Sequence, residues 1–381
     1  MKSDYQSGMK IGILGGGQLG RMFIQEALNL DIHVHILDPE QDAPCAPIAH
    51  HFVQGDIKDF DTVYNFGKDK DVVTIEIEHV NVDALEQLEK DGVQVYPQPR
   101  VIRLIQDKGS QKEFYEKENI PTAPFRLVAE NADLQDHLDY LPYMQKARKG
   151  GYDGKGVQAI KSTDDFSKAF TTASVLESFI DFEKELSVIV ARNKDGATTT
   201  YPIVELEFNP TANLVEFLFA PADVTNEIAE TAQKIAIDII TKLDMVGLLA
   251  VELFLTKSGE VLVNEIAPRP HNSGHQTIEA NYTSQYEQHL RSIINLPLGS
   301  TNAIQPSVMV NLLGEPNHTG KAKYEGIETV LAMEGVFPHL YGKTNTKPFR
   351  KMGHITITNA TLNKAKEIAF KVKETLKVVS E

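Results

Sequence analysis

The sequence predicts an α/β fold with a parallel sheet for roughly its first hundred residues and an antiparallel α+β fold for most of the remainder. Three observations lead there. Short apolar runs alternate with amphipathic, helix-length runs at the N-terminal end; strand-like runs crowd together over residues 176–266; and a glycine-rich turn follows the first apolar run directly.

Taken in order, residues 10–14 read as a buried strand, 19–30 as a helix, and 33–37 and 71–75 as further strands, which sets a first domain at 1–100. Strands alternating with helices imply parallel pairing through crossovers. Residues 107–146 change to helix, turn and short strand, punctuated by Pro121, Pro124 and Pro142, so a small second domain is expected over 101–175. A third, 176–300, carries strands at 185–191, 199–205, 215–219, 248–255 and 261–266, with a helix over 226–243 that Thr225 caps. The last region, 301–381, adds strands at 307–312 and 354–358 and a closing basic helix over 363–378.

Composition limits the function. With 381 residues, 41% of them hydrophobic and 24% charged, the chain can bury several cores. Against 53 Asp plus Glu there are only 38 Lys plus Arg, a net charge of -15 that repels nucleic acid and anionic membrane surfaces. A small phosphorylated ligand remains possible where cations cluster locally. Cys45 is the sole cysteine, which removes intramolecular disulfides and thiolate metal sites and points to a reducing cytoplasmic setting. The polar start, 1–8, reads as a frayed extension without a signal sequence, and the most apolar interior run, 245–251, is too short to span a membrane.

Three motifs carry chemistry. Gly15-Gly16-Gly17-Gln18-Leu19-Gly20 satisfies G-x-G-x-x-G between a strand and a helix, with Asp38 ending the next strand. That is the Rossmann-like context for a phosphate at a helix N-terminus; a tight turn whose glycines serve packing is the other reading. Residues 145–156 hold four glycines and four cations, a composition suited to a lid over a polyphosphate or to a solvated basic hairpin. No Walker A loop is present there, because the segment after Gly156 reads as strand. Finally, if Ser258-Gly259 is a two-residue turn, Lys257 pairs with Glu260 and Glu252 falls opposite Glu265. Opposed carboxylates suit a magnesium ion, with manganese as the alternative, or else form a protonated or splayed pair without a role.

Together these features resemble the ATP-grasp superfamily. Val263-Asn264-Glu265-Ile266-Ala267-Pro268-Arg269-Pro270-His271-Asn272-Ser273-Gly274-His275 is similar to the signature of its N5-carboxyaminoimidazole ribonucleotide synthetases, and Tyr341-Gly342-Lys343 through Gly353-His354 matches as well. The resemblance, from about Met9 to the closing helix, implies an ATP-grasp fold with a pre-ATP-grasp N-terminal domain, a lid subdomain and a C-terminal antiparallel domain. It implies that ATP is held by Lys108, Lys146, the lid residues Gly151, Tyr152, Asp153, Gly154, Lys155 and Gly156, by Glu177, Ser178, Phe179, Ile180 and Glu185, and by Asn264 and Glu265. Asn264 would point to the other face of an ideal strand. Glu252 and Glu265 match the metal ligands; Arg269, His271 and Asn272 the bicarbonate and carboxyphosphate pocket; and Asp153 the general base. A structural ion pair is the alternative role for Arg269. Gln18, Leu19, Glu76, Tyr152, Lys343 and Arg350 would hold 5-aminoimidazole ribonucleotide, the last two within a basic loop that could equally be merely solvated. The glycine loop then faces substrate, NAD is not used, and a homodimer is expected. Val157 and Phe208 depart from the family pattern. A formate-dependent ribonucleotide transformylase of the same superfamily, an NAD dehydrogenase and a non-catalytic nucleotide sensor are the rival readings.

Overall fold

The computed structural model describes residues 4–151, 156–211 and 214–381. Strands β1 (Lys10–Leu14), β2 (His33–Asp38), β3 (His51–Gln54), β4 (Val72–Ile75) and β5 (Gln94–Val95) pair in parallel in the order β3-β2-β1-β4-β5. Helices α1 (Gln18–Leu28), α2 (Phe60–Gly67) and α3 (Val82–Lys90) connect them. The strand order reverses between β1 and β4, so a crevice opens beyond their carboxyl ends, where the glycine loop and Glu76 lie. Helix α4 (Pro99–Ile105) joins this part to the next: Ile102 packs in the core beneath β4, while Val101 and Ile105 pack in the central core.

Helix α5 (Lys108–Lys117) leads into β6 (Phe125–Val128), β7 (Tyr143–Ala147), β8 (Val157–Ile160) and β9 (Ser174–Ser178), an antiparallel sheet ordered β6-β9-β7-β8. The lid sequence joins β7 to β8; Tyr152, Asp153, Gly154 and Lys155 lie outside the described residues. The chain continues as β10 (Phe182–Arg192), β11 (Thr198–Thr200), β12 (Val204–Asn209), β13 (Leu214–Ala220), α6 (Asn226–Lys242), β14 (Gly247–Thr256) and β15 (Val261–Ala267). Beyond α7 (Thr277–Ala280) and α8 (Gln285–Ile293) come β16 (Ser307–Leu313), β17 (Gly320–Glu325), α9 (Ile327–Leu331), β18 (Val336–Leu340), β19 (Asn345–Thr346), β20 (Lys351–Thr358), α10 (Leu362–Thr375) and β21 (Lys377–Ser380). One sheet runs β15-β14-β10-β12-β13-β16-β20-β18, so the C-terminal strands extend the central sheet. Among the described residues no helix is long and apolar enough to cross a membrane.

Three local expectations change. The strand expected over 199–205 is two short strands, β11 and β12, because Pro202 offers no N–H to the ladder. The closing helix stops at Thr375, and Lys377–Ser380 pairs with β17. The hairpin tip is not the two-residue turn: Leu255 pairs with Val261, and Thr256 N–H bonds the Glu260 carbonyl around a three-residue loop in which Gly259 has φ +88°.

That tip shifts the register by one residue, and a β-bulge shifts it back. Leu253 pairs with Val263, yet Glu252 pairs with Glu265, which leaves Asn264 as the extra residue. Without the bulge Glu265 would follow Val263 onto the core face. With it, Asn264 and Glu265 both reach the face that carries Glu252, which corrects the expectation that Asn264 points away.

Candidate active site

A cleft of ≈ 1030 Å³ is lined by residues of all four regions. Its walls include Gln18, Leu19 and Glu76 from the N-terminal part, Lys108, Lys146 and Gly151, and Glu177 with Ser178, Phe179 and Ile180. Glu185, Glu252, Asn264, Glu265, Arg269, His271 and Asn272 line it too, as do Lys343 and Arg350. Gly156 does not. At φ +78° its carbonyl accepts the Ala147 N–H at 2.8 Å, so it closes the β7–β8 connection instead.

Three carboxylates share the cleft face of the central sheet. Glu252 sits directly across from Glu265, and Glu185, which pairs with Phe254, lies diagonal to Glu252 on the same face. Burial pushes Glu252 up to about 8, with Glu265 and Glu185 adding repulsion against the relief from Lys351 and Lys108. Glu185 rises to about 7, again by burial, with Lys146 opposing. Lys108 Nζ lies 3.4 Å from Glu265 Oε1. Two desolvated carboxylates whose proton affinity is raised, Glu252 and Glu185, fit a divalent cation together with the more exposed Glu265, because the cation supplies the charge that burial withholds.

Glu177 is buried with both oxygens engaged: Lys112 Nζ lies 2.6 Å from Oε1 and Lys146 Nζ 2.6 Å from Oε2. Burial alone would raise its pKa, but Lys146 and Lys112 outweigh that and hold it below the ordinary value. Its carboxylate therefore anchors Lys146, which also donates to Asn264 Oδ1 at 3.1 Å. Ser178 Oγ bonds the Tyr140 hydroxyl at 2.9 Å, leaving half-exposed Phe179 and Ile180 as the apolar wall, near the Phe182–Phe254 stack at 4.8 Å. Val157 and Phe208, the departures from the family pattern, face this cleft.

The turn after β15 carries the next group. Arg269 pairs with Glu78, Nε to Oε1 at 2.9 Å and Nη2 to Oε2 at 3.2 Å, and Nη1 donates to the Pro270 carbonyl at 3.1 Å. The ion-pair alternative for Arg269 is thus present, but inside the cleft. His271 Nδ1 accepts the Ser273 N–H at 3.3 Å, which in the neutral ring leaves the proton on Nε2, 3.8 Å from Glu252 Oε1. Asn272 forms a reciprocal amide pair with Asn311, both bonds 2.9 Å, so its side chain braces the turn.

At the N-terminal loop the amides expected for a phosphate already have protein partners. Gly17 N–H bonds Glu76 Oε2, Leu19 N–H bonds Glu76 Oε1 at 3.0 Å, and Gly16 N–H bonds Asp38 Oδ2 at 2.6 Å. The packing alternative holds for these glycines: a Cβ on Gly17 would sit 2.5 Å from Glu76 Oε1. Facing the cleft from the C-terminal part, Lys343, Lys347, Arg350 and Lys351 all line it, so the basic loop is not merely solvated. Lys343 Nζ donates to the Lys351 carbonyl at 2.8 Å, and Arg350 Nη1 to the Asn345 carbonyl at 2.6 Å.

Comparison with known proteins agrees with this arrangement. The ribonucleotide synthetase preATP-grasp domain model matches residues 8–106, the ATP-grasp domain model 113–286, and the phosphoribosylaminoimidazole carboxylase C-terminal domain model 307–368. N5-carboxyaminoimidazole ribonucleotide synthase from Bacillus subtilis is 37% identical over 92% of this chain and 91% of its own length. The chain belongs to the N5-carboxyaminoimidazole ribonucleotide synthase family of ATP-grasp ligases. The synthetase structure from Thermotoga maritima matches with TM-score 0.91 at 44% identity, covering 98% of this chain and 100% of that one. The synthase from Aspergillus clavatus in complex with ADP and 5-aminoimidazole ribonucleotide matches with TM-score 0.87 at 35% identity, covering 97% and 98%. The chloroplastic phosphoribosylaminoimidazole carboxylase of Vigna aconitifolia is 40% identical over 93% of this chain, which spans 64% of that protein's length.

Sequence reasoning passed over Glu78, which lines the cleft, and Lys112, which pairs with Glu177 behind it, and it gave Lys351, which also lines the cleft, no role beyond membership of the basic loop. Glu78 follows Glu76 at the carboxyl end of a parallel strand, where α/β ligands bind, and that position was a usable signal. Lys112 carries none, since its buried partner Glu177 is 65 positions away.

Proposed function

We infer that this chain catalyses the ATP-dependent carboxylation of the amine of 5-aminoimidazole ribonucleotide by bicarbonate, giving N5-carboxyaminoimidazole ribonucleotide, ADP and phosphate. The observation that carries this reading is one cleft holding a carboxylate pair, an oriented guanidinium and a four-cation loop. Bicarbonate attacks the γ-phosphorus of ATP through an oxygen, the bond to ADP breaks, and carboxyphosphate forms. Carboxyphosphate then releases CO₂ and phosphate, and the substrate amine adds to CO₂ with loss of one proton.

Each residue has a role in that sequence. Lys108 and Lys146 hold the ATP phosphates under the lid, Phe179 and Ile180 face the adenine, and Glu185 receives the ribose hydroxyls. Glu252 and Glu265 would hold magnesium, which when bound neutralises charge on the transferring phosphoryl group. Arg269 presents its planar fork to bicarbonate and then carboxyphosphate, with His271 beside it. Lys343 and Arg350 take the ribonucleotide phosphate, and Asp153 takes the amine proton. Cytoplasmic location and a homodimer complete the reading; light scattering tests the latter.

The experiment is ADP release by the purified protein with and without bicarbonate and with and without 5-aminoimidazole ribonucleotide. The reading expects turnover to need both. Turnover that continues without bicarbonate overturns it in favour of another ATP-grasp ligase.

A further inference from the structure

Two glutamates two positions apart, Glu76 and Glu78, connect the two halves of the cleft. Glu76 bonds the amides of Gly17 and Leu19 in the loop beside the ribonucleotide end, and Glu78 grips Arg269 across a gap of 191 positions. Both members of the Glu78–Arg269 pair are largely shielded, with side-chain exposures of 15% and 18%, so water competes weakly for either. The backbone from Glu78 to Val80 is also fixed. Gln106 Nε2 donates to the carbonyls of Glu78 at 2.7 Å and Val80 at 3.0 Å, and Val80 N–H donates to the Glu78 carbonyl at 2.9 Å.

We propose that Glu78 is a positioning residue for the carboxylation: it sets the guanidinium of Arg269 at a fixed place relative to the ribonucleotide loop, so that CO₂ is released within reach of the amine. The inference rests on the function proposed above. Its physical basis is that an arginine on a turn, held otherwise by the carbonyl of Pro270, keeps several side-chain rotamers unless a carboxylate that accepts from Nη2 and lies in ion-pair contact with Nε selects one. Because that carboxylate belongs to the segment that binds the glycine loop, the two half-sites share one rigid reference. CO₂ is small and uncharged, so a misplaced Arg269 leads to escape of CO₂ before the amine captures it.

The test compares the natural protein, Glu78→Gln, Glu78→Asp and the pair Arg269→Gln and Glu78→Gln/Arg269→Gln. For Glu78→Gln the KM for bicarbonate rises at least about tenfold, the loss expected of one charged hydrogen bond. The KM for the ribonucleotide stays within about twofold, and ADP formed per carboxylated product exceeds one, a ratio that a merely structural role would not move. Glu78→Asp recovers part of the coupling, and adding Glu78→Gln to Arg269→Gln causes no further loss. If the natural protein turns over as proposed but Glu78→Gln keeps its bicarbonate KM and a ratio of one, Glu78 has no such role. Additive losses in the double variant also overturn it, and they cover the case in which the single variant is poorly folded. A natural protein without bicarbonate-dependent turnover overturns the functional reading itself, and this inference with it.

Discussion

Glu252 of β14 and Glu265 of β15 stand directly opposite each other, and they do so only because a bulge at Asn264 cancels a one-residue shift made at the hairpin tip. A uniform ladder drawn from a two-residue turn pairs the same two residues, because its two errors offset. The bulge does more than restore the count. It brings Glu265 to the cleft beside Asn264, which Lys146 reaches.

Replacing one member of this pair should separate stability from activity. Glu265→Gln removes repulsion from buried Glu252, so the metal-free protein melts higher than the natural chain. ADP release falls by about a hundredfold or more, and the rise in melting temperature on adding magnesium with ADP disappears. Thermal shift and coupled ADP assays check both; near-natural turnover would remove the metal assignment.

The Lys112–Glu177–Lys146 cluster predicts the opposite sign. Glu177→Gln leaves two shielded ammonium groups without their anion and should cost about 3–5 kcal/mol of unfolding free energy, read from urea denaturation. Replacing Lys112 by Met in the same chain should recover part of the loss. A cost under about 1 kcal/mol would mean that water already reaches the cluster.

His289 predicts a pH dependence. Burial pushes it down to about 3, with Thr74 Oγ1 3.1 Å from its Nε2. Its folded value is depressed, so the unfolded chain binds the extra proton first; stability is fully present above about pH 6.5 and is lost as pH falls from there toward 3. Between pH 7 and pH 5 this one group should account for about 2 kcal/mol. His289→Gln should flatten the profile of unfolding free energy over that interval, and an unchanged slope would assign the acid sensitivity elsewhere.

Asp153→Asn tests the proposed base. Bicarbonate-dependent ADP release should persist while carboxylated product falls, since only the second step needs the amine proton removed. Unchanged product formation would exclude Asp153 from that role.

Much of the fold is legible in local pattern. The β1-loop-α1 unit, Thr225 as the cap of α6 with its side chain accepting from Ile228 N–H, and strands β10, β13, β14, β15, β16 and β20 of the central sheet follow from periodicity and capping chemistry, whereas β18 was not expected. The break between β11 and β12 was missed, although Pro202 was a usable signal for it. The meaning of the glycine loop was not legible, because whether its amides meet a ligand or the Glu76 carboxylate depends on a strand 57 positions away.

Residue types, their spacing along each element and the presence of a basic loop in an acidic chain are properties of the polymer alone, and they suffice for the family and for most of the residues that line the cleft, though not for Glu78. The partners of those members are not local properties. Arg269 meets Glu78, Lys146 meets Glu177, and Tyr286 and Leu290 of α8 complete the core around α1 only once distant segments pack. The physical reason is that periodicity reports which face of an element is buried, while the pairing of charges across elements is set by where packing brings those faces together.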